Sequence, residues 1–182
     1  MCAMPLMPRE RVWTVDDLDC LPQDGLQYEL AEGVLLVTPS PVVRHQRCSK
    51  RMLTVLSDAC PEHLEVFAAP LDFRPNATTS LQPDLLVVRR EEAQGETLIG
   101  TPLLVVEILS PSTRAKDLVL KRALYASAGV PSYWVVDPVE KTLLVLKLRA
   151  GGYVEAGRAV GDEELLVSEP MPCRIVPSRL GA

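Results

Sequence analysis

The sequence predicts an α/β (α+β) fold: one mixed central β-sheet flanked by α-helices. Three observations predict it. Short apolar stretches of strand length recur at 85–88, 103–109 and 133–136. Two longer segments, 44–59 and 115–128, carry apolar residues at three- and four-residue steps, as amphipathic helices do. The stretch 103–109 is apolar on both faces apart from one glutamate, which marks a central strand covered from both sides. A length of 182 residues with 47% hydrophobic content suits one domain with a sizeable core.

The elements follow in order. Residues 1–12 read as an N-terminal tail and 13–182 as a single domain. Thr14 caps a short helix with Asp16 and Asp17 in its first turn. Tyr28-Glu29-Leu30 and Val34-Leu35-Leu36-Val37 flank Ala31-Glu32-Gly33, which reads as a hairpin with a glycine turn. In 44–59, His45, Cys48, Met52, Leu56 and Ala59 form the apolar stripe, with basic residues around the other side. Strands are expected at 65–69 and 71–73, then a polar loop at 76–80. The segment from Gln82-Pro83-Asp84 opens the next strand with an aspartate. Residues 89–100 are a surface loop or short helix. The helix 115–128 closes at Gly129, with Pro131 just beyond. Tyr133 to Val136 and Thr142 to Leu148 form a hairpin through Asp137-Pro138, where Asp137 is a turn residue. The residues from Tyr153 onward read as peripheral strands.

Bulk properties exclude several classes. No apolar run reaches the roughly 18 residues of a membrane span, and no charged start precedes an apolar stretch as in a signal peptide. The five cysteines, Cys2, Cys20, Cys48, Cys60 and Cys173, include no C-x-x-C pair, which argues against zinc and against a disulfide framework. Scattered free thiols fit a cytoplasmic protein. The net charge is −5. Locally, Arg44, Arg47, Lys50 and Arg51 form one basic group, and Arg114, Lys116, Lys121 and Arg122 another. No glycine-rich phosphate loop and no serine-hydrolase elbow is present.

The chemistry concentrates in three residues. A charge inside an apolar strand costs several kcal/mol, roughly, unless it is paired or binds a metal, so Glu107 needs a partner. Strand periodicity places Glu107 with Leu103, Val105 and Leu109, and Asp84 with Leu86 and Val88. If these strands are neighbours, the two carboxylates converge. A divalent cation resolves their repulsion, and an oxygen-only ligand set points to Mg²⁺ or Mn²⁺. Asp117, Lys121 and Tyr125 recur at four-residue steps on the following helix. Lys121 borders its buried side and can reach the end of the Glu107 strand, where a lysine can orient water or stabilise a phosphate. Each residue also has a structural alternative: Asp84 as a strand start, Glu107 in an ion pair, Lys121 paired with Asp117, His45 in a core or capping role, and Glu29 as a hairpin charge.

These motifs, taken in order, resemble the Uma2 family. The residues are Tyr28 to Gly33, Pro39-Ser40-Pro41 with His45, Gln82-Pro83-Asp84, Val106 to Ser112, Asp117 with Lys121 and Tyr125, Gly129-Val130, and Tyr133 to Pro138. The resemblance runs from about Trp13 to Leu180. It implies a restriction-endonuclease-like fold and the PD-(D/E)xK nuclease superfamily. In that pattern Asp84 and Glu107 are the metal carboxylates. Leu109 stands where the usual lysine would be, and Lys121 resembles a migrated replacement. Glu29 is then the extra acidic residue from the N-terminal part.

The leading expectation is a Mg²⁺-dependent endonuclease acting on DNA. Asp84, Glu107, Lys121 and Glu29 are its catalytic candidates, and His45 and Arg44 its substrate contacts. It requires Asp84, Glu107 and Lys121 to meet in an open cleft with basic walls. The alternative is a catalytically inactive, homo-oligomeric binding protein that keeps the fold, with the three residues in a closed, dry network. The acidic pI and the displaced lysine support it. Edge strands in the last thirty residues offer a route to oligomers. A metal-dependent hydrolase of a small phosphate ester is a third reading.

Overall fold

The structure is a computed structural model. It describes residues 11–22, 24–38, 40–94, 98, 100–110 and 116–181, apart from the side chains of Lys116 and Asp117. Cys48, Cys60 and Cys173 are free thiols. Cys20 is disulfide-bonded, so the reading of all five cysteines as free thiols does not hold for it. No helix among the described residues is long and apolar enough to cross a membrane.

The chain opens with helix α1 (Val15–Leu18), where Thr14 and Asp17 form a reciprocal capping box. Strands β1 (Gln27–Ala31) and β2 (Val34–Thr38) form the expected hairpin. Its turn residues Glu32 and Gly33 both have positive φ, 49° and 82°, as a two-residue hairpin turn requires. Helix α2 (Val43–Ala59) buries His45, Cys48, Met52 and Leu56, the stripe read from the sequence. Next come β3 (Leu64–Ala68), β4 (Phe73–Asn76) and β5 (Thr79–Leu81).

Here the sequence expectation departs from the structure. The second short strand begins at Phe73 rather than Leu71, and the supposed polar loop is a tight turn followed by a buried strand. Asn76 makes the turn itself, since its side-chain oxygen accepts the backbone N–H of Thr78 at 2.9 Å. Thr79 and Ser80 are polar yet buried, which composition reads as loop.

The second half matches more closely. Strand β6 (Leu85–Arg89) is followed by a 3₁₀ turn at Arg90–Glu92, then β7 (Leu104–Ile108). A π-helical segment, Lys116–Lys121, runs into helix α3 (Arg122–Ser127). The hairpin of β8 (Ser132–Asp137) and β9 (Thr142–Arg149) follows, then β10 (Gly152–Val160), β11 (Leu165–Val167), β12 (Cys173–Ile175) and α4 (Ser178–Gly181). Asp137 accepts the backbone N–H groups of Val139 and Glu140, the turn role expected of it.

A six-stranded mixed sheet, ordered β10-β9-β8-β7-β6-β3, forms the centre. Only β7 and β8 run parallel, joined by the α3 crossover. Strand β7 is buried throughout. One face, with Leu104, Val106, Ile108 and Trp134, packs against α2. The other, with Val105, Tyr133 and Val135, packs against α3 through Leu124 and Tyr125. The first hairpin does not join this sheet as a single-sheet reading expects. It forms a second one, β2-β1-β5-β4, because Leu30 of β1 pairs with Ser80 of β5. That sheet lies against the α3 side of the core through Ala31, Phe73 and Leu81.

Helix α3 ends as expected at Gly129, whose φ is 79°. A Cβ added there would meet no atom within 4 Å. Gly129→Ala should therefore cost only the left-handed backbone penalty, about 1–2 kcal/mol, as a lowered urea midpoint with an unchanged m-value.

Candidate functional site

Strand pairing places the two candidate metal carboxylates. In the antiparallel β6–β7 pair, Leu85 faces Val106 and Leu86 faces Val105. One step further in that register, Asp84 lies across from Glu107. Asp84 Oδ2 accepts the backbone N–H of Ile108 at 2.7 Å, so its carboxylate is fixed beside the residue that adjoins Glu107. His45 Nε2 lies 3.1 Å from the same oxygen. The second carboxylate oxygen of Asp84 has no hydrogen bond among the described residues, and the side chain is 18% exposed.

Glu107 points to the α3 side of the sheet, the face of Val105 and Leu109. Lys121 Nζ lies 2.9 Å from its Oε1, and the Tyr125 hydroxyl donates to that oxygen at 2.6 Å. Lys121 also pairs with Glu29 Oε1 at 2.8 Å, an atom that accepts the backbone N–H of Gln82 at 2.9 Å. Glu29, Glu107 and Lys121 are each no more than 3% exposed. The network therefore joins β1, β7, the crossover and the strand entry at Gln82. Removing one partner of a buried pair leaves an uncompensated charge, which makes such a network stringent about its own geometry.

The local fold explains how Lys121 arrives. It is the last residue of the π-helical segment and the N-cap of α3. Lys121 and Tyr125 are one α-helical turn apart, so both side chains reach Glu107. A single regular helix over 115–128 was expected; π winding, common at functional sites, replaces its first half. The side chain of Asp117 lies outside the described residues.

Each predicted site residue can now be placed. Glu29, Glu107 and Lys121 form one buried cluster. Asp84 joins it through the backbone of Ile108 and lies nearer to solvent. His45 is buried against Asp84, while Arg44 on the preceding helix position is exposed. The second basic group is not a basic surface: Lys121 is buried in ion pairs and Arg122 donates to the Tyr153 carbonyl at 2.8 Å. Arg114 lies outside the described residues. Sequence reasoning gave Tyr125 no role, although its four-residue step from Lys121 was the available signal. The contribution of the Gln82 and Ile108 backbone N–H groups has no side-chain signature.

Burial first, then the charges of Glu107 and Glu29, holds the Tyr125 hydroxyl well above its ordinary pKa. It therefore remains a donor to Glu107. Burial, with Asp84 and Asp137 nearby, pushes the Cys48 thiol up to about 12, so this cysteine is an inert part of the α2 packing.

The donor chemistry fits a hard divalent cation. No group of three or more His, Cys, Asp or Glu residues that could hold a metal occurs among the described residues. Mg²⁺ is commonly held by only one or two carboxylates, with water and phosphate completing its shell. Asp84 and Glu107 supply that number, and both offer oxygen.

A family model for Uma2, described as "Putative restriction endonuclease", matches residues 15–176. The chain belongs to the Uma2 family. Its structure is similar to the crystal structure of "a putative nuclease belonging to DUF820" from Anabaena variabilis ATCC 29413, at 22% identity and a TM-score of 0.69. The match covers 86% of this chain and 89% of that one. The restriction-endonuclease-like fold read from the sequence is thus the fold observed. No curated protein matches.

Two outcomes follow for this Uma2 chain. Lys121→Met leaves Glu29 and Glu107 without their shared ammonium and should cost about 3–5 kcal/mol of unfolding free energy. Removing the exposed Arg158–Glu155 pair should leave stability nearly unchanged. The second outcome concerns pH. A raised Tyr125 pKa means that the folded state holds the proton more tightly. Stability is intact below the ordinary tyrosine value of 10.0 and falls as pH rises from there toward the folded value. Tyr125→Phe should reduce that alkaline loss, as measured by urea unfolding at a series of pH values above 9.

Proposed function

We propose that this Uma2 protein is a Mg²⁺- or Mn²⁺-dependent endonuclease that hydrolyses phosphodiester bonds in DNA. The observation that carries this reading is the register of β6 and β7, which sets Asp84 across from Glu107 with Lys121 bonded to the latter. Two carboxylates and a lysine at the end of a central sheet suit phosphoryl transfer to water. Membership of a family described as restriction endonucleases supports the same reading.

Asp84 and Glu107 would hold the ion. When bound, it acidifies water and neutralises charge on the phosphate. The protein's own residues do the rest. Ile108 N–H and His45 fix one oxygen of Asp84 and leave the other directed outward. Tyr125 and Lys121 fix Oε1 of Glu107. The Lys121 ammonium supplies positive charge beside the position where the phosphate becomes more negative in the transition state. Glu29 holds that ammonium in place from the N-terminal sheet. Arg44, exposed one residue from His45, is positioned to contact the phosphate backbone, and His45 acts on the substrate through Asp84.

One observation favours a second reading. Glu107 and Lys121 are buried rather than set in an open cleft. In that reading the network is a structural ion-pair cluster, and the protein is a catalytically inactive, homo-oligomeric binding protein.

Titration calorimetry with Mg²⁺ and Mn²⁺ separates the two. Wild type should bind, and Asp84→Ala and Glu107→Gln should each weaken binding at least tenfold. Plasmid nicking by wild type should vanish in both variants. No binding to wild type at millimolar metal, with both variants merely less stable, would favour the structural network.

A further inference from the structure

Four strands form the edges of the two large sheets: β3 and β10 in one, β2 and β4 in the other. An edge presents unpaired backbone groups, and proteins blunt it with charges, proline or bulges. Strand β10 has a bulge between Glu155 and Gly157 and carries Glu155 and Arg158. Strand β4 contains Arg74 and Pro75, with an irregular register. Strand β3 carries Glu65 at its second position. Strand β2 has none of these devices. It reads Val34-Leu35-Leu36-Val37-Thr38, pairs regularly with β1, and has no other strand neighbour among the described residues.

Its side chains reinforce the point. Val34 is 60% and Val37 51% exposed, and they lie on opposite faces of the strand. Val42 and Val43, at the entry to α2, are also exposed. Both faces of this edge thus offer apolar surface beside open backbone groups.

We propose that β2 is a homodimer interface, pairing antiparallel with β2 of a second copy. Charge supports a second copy as the occupant. The strand is neutral, so two copies approach without repulsion. Antiparallel pairing sets the start of one β2 beside the end of the other. The acidic turn residue Glu32 precedes β2, and the basic start of α2 with Arg44 follows it. Both residues are exposed, so each end of the interface brings opposite charges together. The expected route through the last thirty residues is less favourable, because β10 is bulged and charged.

The interface would join the candidate sites. Leu36 of β2 is the direct partner of Glu29 on β1. Across β1, β2 and their symmetry mates, the two Glu29 positions would lie three strand spacings apart, about 14 Å. The proposal does not rest on the nuclease reading, since an inactive protein with the same edge would dimerise equally.

Sedimentation velocity on the full chain tests it. Wild type at tens of micromolar should sediment at twice its 20.0 kDa mass. Val34→Lys combined with Val37→Lys should shift the dimer constant at least tenfold toward monomer, with an unchanged circular dichroism spectrum. Val154→Lys, on the exposed part of β10, should remain dimeric. A monomeric wild type overturns the proposal. So does a double-lysine variant that stays dimeric, or a wild type that dimerises only after residues 1–10 are removed, which would mean that the chain's own N-terminal segment covers the edge. Metal binding and plasmid nicking report separately on the nuclease reading, so the failure of either idea is visible without the other.

Discussion

One ammonium group ties this fold together. Lys121 bonds Glu29 from the N-terminal sheet and Glu107 from the middle of the central one. Two sheets and the crossover helix therefore meet on a single charge. Burying three ionised groups is costly, and their attraction offsets that cost only if all three stay in register. The requirement fixes the position of the first hairpin, which shares no backbone ladder with the six-stranded sheet. It also fixes the start of α3, where winding changes from π to α at Lys121 itself. Apolar packing on this face tolerates small slips; a shared ammonium does not.

Asp84 is held by a different logic. Its partners are a backbone N–H and a histidine from α2, on the opposite side of the sheet from α3. The two helices thus position one carboxylate each: α2 through His45, and α3 through Lys121 and Tyr125. The central hairpin brings these carboxylates together by register alone. A one-residue slip of β6 against β7 would send Asp84 to the other face. The apolar residues Leu85 to Val88, buried on both faces, resist such a slip.

Much of this was legible in the sequence. The α2 stripe, the Glu32-Gly33 turn and the Gly129 stop each rest on local chemistry, and each occurs where that chemistry places it. The demand that Glu107 find a partner was also legible, because a lone carboxylate in an apolar strand is unstable wherever the strand lies. The identity of its partners was only half legible. Lys121 follows from helical spacing, whereas Glu29 enters through the pairing of β1 with β5, and that depends on a buried polar strand that composition reads as loop. The π winding before Lys121 leaves no periodicity of its own. The separation of the first hairpin into a second sheet is likewise set by long-range pairing rather than by any local signal.

Burial bears directly on how the site can work. Glu107, Lys121 and Tyr125 lie too deep to meet a polymer, while Asp84 is the part of the constellation open to solvent. A phosphate approaching this centre would do so from the Asp84 side, past the start of α2 where Arg44 is exposed. The buried cluster then acts as a preorganised base beneath the reacting groups, already desolvated before substrate arrives. Charges fixed in this way need no rearrangement at the moment of reaction. The burial that suggests a closed structural network is thus also what a preorganised phosphoryl-transfer site requires. The deciding quantity is whether the outward oxygen of Asp84 and the carboxylate of Glu107 can share an ion.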